Sequence, residues 1–161
     1  MGSAFTTYGE KLQNRLHNFV DIGYAGNSVR VLALWDTGAT NSCISDEVAK
    51  QLCLIPTGKE EIRTPSGCSI RNAYLVDVCL PNNVVIDNLK VIDSAIGAQG
   101  IGMLIGMDII QRGDFSVSNY KGKTIFTFRI PSEGITDYAK NMRVRDLIGP
   151  THGRGKRKKI K

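Results

Sequence analysis

With 161 residues, the chain is long enough to bury the core of one domain and too short for two ordinary ones, and an apolar fraction of 42% suits a globular protein. No stretch approaches the ~20 apolar residues that cross a bilayer, and residues 1–13 hold no apolar signal core, so a soluble, cytoplasmic protein with no membrane partner is expected. The formal charge of +6 belongs to the tail: Arg154, Lys156, Arg157, Lys158, Lys159 and Lys161 supply six of the 21 bases, and without them 15 bases face 15 acids.

Residues 1–14 are polar and weakly patterned. Residues 19–24 alternate loosely, Ala25-Gly26-Asn27 is a turn, and 28–35 is a second, more apolar run, which together predict a β-hairpin. Ser45 is a good N-cap, acids fill the first turn after it, and Val48, Gln51 and Leu52 follow at helical spacing, predicting a short helix that ends before Pro56. Residues 60–64 and 69–80 flank Pro65-Ser66-Gly67-Cys68, where proline presets a turn and glycine can take the left-handed position, so a hairpin tip is predicted there. Pro81-Asn82-Asn83 turns the chain into 84–92, whose β-branched content predicts a strand. A glycine-rich loop over 97–102 precedes Met103-Leu104-Ile105-Gly106, one or two helical turns follow over 107–111, and 114–118 pairs with 123–130 before Pro131 stops the strand. Many short strands with frequent turns predict a mostly β, barrel-like or sandwich domain. Residues 135–148 hold a short helix with an incomplete apolar stripe, and the run from Gly153 to Lys161 is expected to be a disordered basic tail.

Cys43, Cys53, Cys68 and Cys79 stand 10, 15 and 11 residues apart, with no CxxC pair and with His17 and His152 far off in sequence. No metal or other cofactor is expected, and the thiols are read as reduced and mostly buried. The informative feature is Asp36-Thr37-Gly38-Ala39-Thr40 at the end of the apolar 29–35 run, where a carboxylate stands at the tip of a hydrophobic strand and a glycine two residues later eases a sharp turn.

These residues resemble the retropepsin-like aspartic proteases. The resemblance spans roughly 19–130 and rests on three blocks in order: the hairpin leading into Leu34-Trp35-Asp36-Thr37-Gly38-Ala39-Thr40, the 64–70 hairpin tip where the family places its flap, and Met103-Leu104-Ile105-Gly106-Met107-Asp108, which looks like the segment packing beside the catalytic loop. It implies a retropepsin-like acid-protease barrel with one or two short helices over 18–132, flanked by an N-terminal extension (1–17), a C-terminal extension with a short helix (133–152) and the tail (153–161). It also implies an aspartic endopeptidase with Asp36, Thr37 and Gly38 as catalytic residues. Ala39, Thr40, Thr64, Pro65, Ser66, Gly67, Cys68 and Ile70 would meet a protein or peptide substrate. Ala39, Ile70, Val84, Ile86 and Ile105 are further read as apolar lining. The position after Ala39 is often acidic in retroviral members and pairs with an arginine; here those positions are Thr40 and Met107, so both halves are missing together and a different internal brace is expected.

The chemistry needs two carboxylates, one to take a proton from water and one to give a proton to the scissile amide, and a close pair shares one proton. No second Asp-Thr-Gly occurs, and Asp93-Ser94-Ala95 lacks the glycine, so activity implies a symmetric homodimer that pairs Asp36 with its counterpart. Asp108 is read as a helix N-terminal or hydrogen-bonding carboxylate near the catalytic loop, Trp35 as packing beneath that loop or near the dimer core, and Asp87, Asp93 and Asp114 as surface or turn residues. The alternative reading is a catalytically silent dimeric β domain acting as an interaction or assembly module. An Asp-x-Gly-x-Thr phosphate loop of the sugar-kinase kind would need a longer chain and a second phosphate loop. The tail is expected to be solvated or to make nonspecific contact with nucleic acid or other polyanions.

Overall fold

The computed structural model describes residues 2–64 and 67–148. Strands β2 (His17–Tyr24) and β3 (Asn27–Trp35) form the predicted hairpin. Ala25 and Gly26 carry φ of 48° and 82°, two consecutive left-handed residues whose twist matches that of the flanking strands. Strand β8 (Met103–Ile105) lies parallel to β3, pairing Ala33 with Met103 and Trp35 with Ile105. It also pairs with β4 (Cys43–Ser45), which runs parallel to β7 (Val85–Ser94). β7 is antiparallel to β6 (Gly67–Cys79), and the end of β6 returns to β2, pairing Asp21 with Cys79 and Gly23 with Asp77. That last pairing closes six strands into a barrel. The 13-residue β6 is long enough to leave the barrel and pair with β5 (Gly58–Thr64) as a projecting hairpin.

A second, three-stranded sheet has the order β1 (Ser3–Tyr8), β10 (Ile125–Ile130), β9 (Asp114–Ser118). The opening segment, read as weakly patterned and outside the barrel, thus contributes a strand in register with β10 from Ser3–Ile130 to Tyr8–Ile125. Its pattern is an alternation of half-buried and exposed residues with Phe5 as the one large apolar side chain. Phe5 joins Phe115, Phe126 and Phe128 around Trp35, with ring centroids 5.0 to 6.1 Å from the indole. The indole N–H donates to Asn18 Oδ1 at 3.0 Å, so the polar end of the buried ring is satisfied. Trp35 therefore packs beneath the Asp36 loop, as the sequence suggested, and joins the small sheet to the barrel core of Val20, Ile22, Ala33, Ile44, Val78 and Met103.

Helix α1 (Asp46–Gln51) starts at Ser45, whose hydroxyl accepts from the Val48 amide at 3.2 Å. Helix α2 (Met107–Ile110) supplies about one of the one or two expected turns, and α3 (Tyr138–Ile148) the C-terminal helix. Cys43 is buried, but Cys53 and Cys68 are exposed and Cys79 is half-buried, which corrects the expectation of mostly buried thiols. Pro65, Ser66 and the basic tail lie outside the described residues.

Candidate functional site

Strand β3 delivers Asp36 to the end of the barrel. Its amide donates to Ile105 O at 2.9 Å, extending the β3–β8 pairing by one bond, and its carbonyl accepts from Ala39 N at 3.2 Å to form a turn. The half-buried Asp36 carboxylate folds back over that turn, and Oδ1 accepts from the Gly38 amide at 2.9 Å. A Cβ on Gly38 would stand 3.2 Å from the same oxygen, so glycine is favoured by that close approach. Thr37, Gly38 and Thr40 are exposed, and Ala39 is half-buried.

Hydrogen bonds brace the loop from below, where positions 40 and 107 are the uncharged Thr40 and Met107. Met107 N donates to Ala39 O at 2.8 Å and Asp108 N to Thr40 O at 3.2 Å. Asp108 accepts from Ser42 N at 2.9 Å, from the Ser42 hydroxyl at 2.6 Å and from its neighbour Ile109 N at 2.9 Å. Ser42 is fully buried, and its oxygen in turn accepts from Gly106 N at 3.0 Å. Gly106 sits so close to the loop that a Cβ would meet the Asn41 carbonyl carbon at 2.7 Å and Ala39 O at 2.9 Å. Asp108 is thus fully engaged in holding the loop, in agreement with the role read for it. Ser42 was missed, because a serine six residues after the aspartate carries no signal of its own.

Facing the loop across a cleft of about 410 Å³ is strand β5, with Glu60, Glu61, Ile62 and Arg63 on one side and residues 38–41 on the other. The floor is Cys43, Ile92, Ser94 and Leu104. Cys43, Ile96 and Ile101 form a small apolar cluster separate from the main core, with Leu34, Ile92 and Leu104 packed on it. Burial pushes the Cys43 thiol up to about 11, which makes it a neutral part of the floor and not a nucleophile. Glu60 pairs with Lys90 at 2.5 Å on the rim.

Of the residues read as substrate-binding, Ala39 and Thr40 share this cleft with Gly38. Thr64 ends β5 opposite Gly67 at the base of the hairpin tip. Cys68 and Ile70 line a different groove of about 560 Å³ with Lys59, Glu61 and Ser69. There the Cys68 thiol donates to Glu61 Oε1 at 2.7 Å, and Ile70 is 72% exposed. Ile86 and Ile105 are sealed in the core, so the expectation that they line the cleft is corrected. The alternation of β7, which turns Ile92 and Ser94 toward the cleft and buries Val91 and Asp93, was the available signal for the floor.

Two carboxylates read as surface residues are structural. Asp93 is buried and accepts from Asn72 N, Asn72 Nδ2 and the Tyr74 hydroxyl at 3.0 to 3.1 Å. Asp114 accepts from Arg129, the Ser132 hydroxyl and Glu133 N, which together hold it well below the ordinary carboxylate range. Among the described residues no group of three or more His, Cys, Asp or Glu side chains could hold a metal ion, and no helix is long and apolar enough to cross a membrane.

No protein-family model and no curated protein matches the sequence. Solved structures do. A retropepsin-like aspartic protease from Rickettsia conorii superposes with a TM-score of 0.51 at 18% identity, covering 81% of this chain and 96% of that one. The fold is retropepsin-like. EIAV protease in complex with the inhibitor HBY-793 follows at TM-score 0.49 and 21% identity, over 62% of this chain and 88% of that one. Within this retropepsin-like fold, the single Asp36 loop stands at one end of the barrel, and β1 and β10 extend the framework on the side of Trp35.

Proposed function

We propose that the chain is an aspartic endopeptidase that acts as a homodimer, with Asp36 of each protomer forming one catalytic dyad. The observation that carries this reading is the isolation of Asp36. Its carboxylate stands at the strand end beside an open cleft, held among the described residues only by the Gly38 amide, while the other carboxylate of the loop region, Asp108, is committed to Ser42. One aspartate cannot be base and acid in the same step, so a second copy must supply the other.

In the dyad one carboxylate is ionised and the other protonated. The ionised Asp36 takes a proton from the attacking water as its oxygen bonds to the peptide carbonyl carbon. The protonated Asp36 gives its proton to the carbonyl oxygen, producing a neutral gem-diol. Collapse returns one hydroxyl proton to a carboxylate, the amide nitrogen is protonated as the C–N bond breaks, and the dyad ends with the single proton it began with. The β5–β6 hairpin would act as a flap that orders the peptide and excludes water. Thr37 would stiffen the paired loops across the twofold axis, and the apolar cleft floor would receive a substrate side chain.

The test is Asp36→Asn assayed on a library of peptides, with circular dichroism to establish that the fold is kept. Cleavage should fall by at least a thousandfold. Unchanged cleavage would overturn the mechanism.

A further inference from the structure

The glycine-rich loop between β7 and β8 is held at its two ends by different means. At Gly102 the means are backbone and core. Gly102 N donates to Leu32 O and Gly102 O accepts from Ser45 N, both at 2.9 Å, and a Cβ there would stand 2.5 Å from Val31 Cβ. At Gly97 the loop rests on a side chain. A Cβ on Gly97 would stand 2.6 Å from the Glu47 carboxyl carbon and 2.9 Å from its Oε1, so a carboxyl group from helix α1 lies against this glycine. The hydrogen bonds of Ile96 N to Ser94 O, Gln99 N to Ile96 O and Gly100 N to Gly97 O shape the turn, but they join it only to itself and to the end of β7. The outer side of the loop faces a groove of about 480 Å³ that Phe19 and Arg30 share with Glu47 and Gly97, so open space backs the loop there.

The inner side of the loop meets the site. Ile96 and Ile101 are buried with Cys43, and Leu34, Ile92 and Leu104 pack on the three. Cys43, Ile92 and Leu104 are also the apolar floor of the cleft beside Asp36. Loop and floor are one cluster, separate from the main core, and what fixes the loop fixes the floor. Glu47 is itself fixed. Its own amide first, and the Ser45 hydroxyl second, hold its carboxyl below the ordinary carboxylate range, so it is ionised at neutral pH. The same hydroxyl caps α1 through Val48 N, and the Ser45 amide is the donor to Gly102 O. Residues 45–47 thus grip the loop at both ends.

We propose that Glu47 is a positioning residue for the cleft: its carboxyl group latches the 97–102 loop and, through Ile96 and Ile101, keeps the cleft floor in shape. Asp36 is held separately, by Ile105 O and by the Ser42–Asp108 bonds below its loop. The latch therefore governs how a substrate side chain is received and not where the carboxylate stands. A loosened floor weakens the binding of substrate and transition state alike, which raises KM and leaves kcat nearly unchanged. The effect on KM rests on the protease reading, whereas the contact and its hold on Cys43 do not.

Glu47→Ala, Gly97→Ala and Glu47→Gln are compared with the parent by alkylation of Cys43 at pH 8, read by peptide mass mapping, and by peptide cleavage. Glu47→Ala removes the carboxyl group, and Gly97→Ala displaces it with a methyl while keeping the charge. Both should speed the labelling of Cys43 roughly fivefold and raise KM by roughly the same factor, with kcat within about twofold of the parent. Glu47→Gln keeps the shape and one acceptor oxygen and should behave as the parent. The double variant Glu47→Ala/Gly97→Ala should do no more than either alone, since both remove one contact. The three atoms nearest the new methyl of Gly97→Ala all belong to the Glu47 side chain, so this variant decides the matter even if Glu47→Ala unfolds. Unchanged labelling of Cys43 in Gly97→Ala would overturn the latch, and so would a fall in kcat at unchanged KM. Faster labelling in the alanine variants, with no cleavage by any form including the parent, would uphold the latch and overturn the protease reading.

Discussion

Replacing Asp108 by alanine is expected to loosen the Asp36 loop from below without touching Asp36. The carboxylate accepts from the Ser42 amide, the Ser42 hydroxyl and the Ile109 amide, and Ser42 has no exposure to solvent. A stranded buried amide costs about 1–3 kcal/mol, and each lost bond to a charged acceptor about 1.5–3 kcal/mol. These terms overlap because they concern the same groups, so about 3–4 kcal/mol is expected for Asp108→Ala. Asp108→Asn keeps the shape and one acceptor but presents N–H to a hydroxyl that already receives Gly106 N, and about 1 kcal/mol is expected. Urea unfolding followed by the fluorescence of Trp35, the single tryptophan, measures both. Protein concentration must be fixed, since the proposed dimer would add to apparent stability. In a double-mutant cycle, Ser42→Ala should make Asp108→Ala milder by about 1–2 kcal/mol. A loss below about 1 kcal/mol, or strict additivity with Ser42→Ala, would refute the brace.

Gly106→Ala should destabilise by about 1–3 kcal/mol and reduce cleavage, because the new Cβ meets backbone atoms of Asn41 and Ala39 that cannot yield; a neutral melting temperature would contradict this. Alkylation at pH 8 should label Cys53 first and leave Cys43 nearly untouched, its thiol being held at about 11 by burial. Cys68 should lag behind Cys53, since the hydrogen bond to Glu61 raises its pKa, and Glu61→Gln should speed it up in peptide mass mapping. Asp114 is held down by Ser132, the Glu133 amide and Arg129. Its stabilising contribution is therefore complete above the unfolded carboxylate value of about 3.9 and is lost as pH falls toward the lower folded value. The melting temperature of the parent should fall more steeply between about pH 5 and pH 2 than that of Asp114→Asn, and parallel curves would refute the assignment.

Local chemistry made much of this fold legible. The Ala25-Gly26 turn, the Ser45 cap and the β5–β6 hairpin each follow from a few adjacent residues, and so does Asp36 at a strand end. Strand β1 was not legible, since only Phe5 marks it and its partners lie on β10 and around Trp35. Asp93 and Asp114 show the same limit: a carboxylate in sequence carries no sign of whether donors will surround it. The cleft floor was half legible, because strand alternation separates Ile92 from Val91 but does not say which face meets the loop. The sealing of Ile86 and Ile105 depends on how the barrel closes, which is set by the return of β6 to β2.

The pairing of β1 with β10 also sets a timetable for making the protein. The Thr6 hydroxyl donates to Thr127, 121 residues later. At ribosomal rates of about 5–20 residues per second, the first strand to emerge waits roughly 6–25 s for its partner. Through that interval β1 is a strand without a sheet, and the framework that steadies β9 does not exist. Contacts so distant in sequence form late. A nascent chain can therefore fold much of its barrel, and the Asp36 loop within it, while the small sheet that packs on Trp35 is still incomplete.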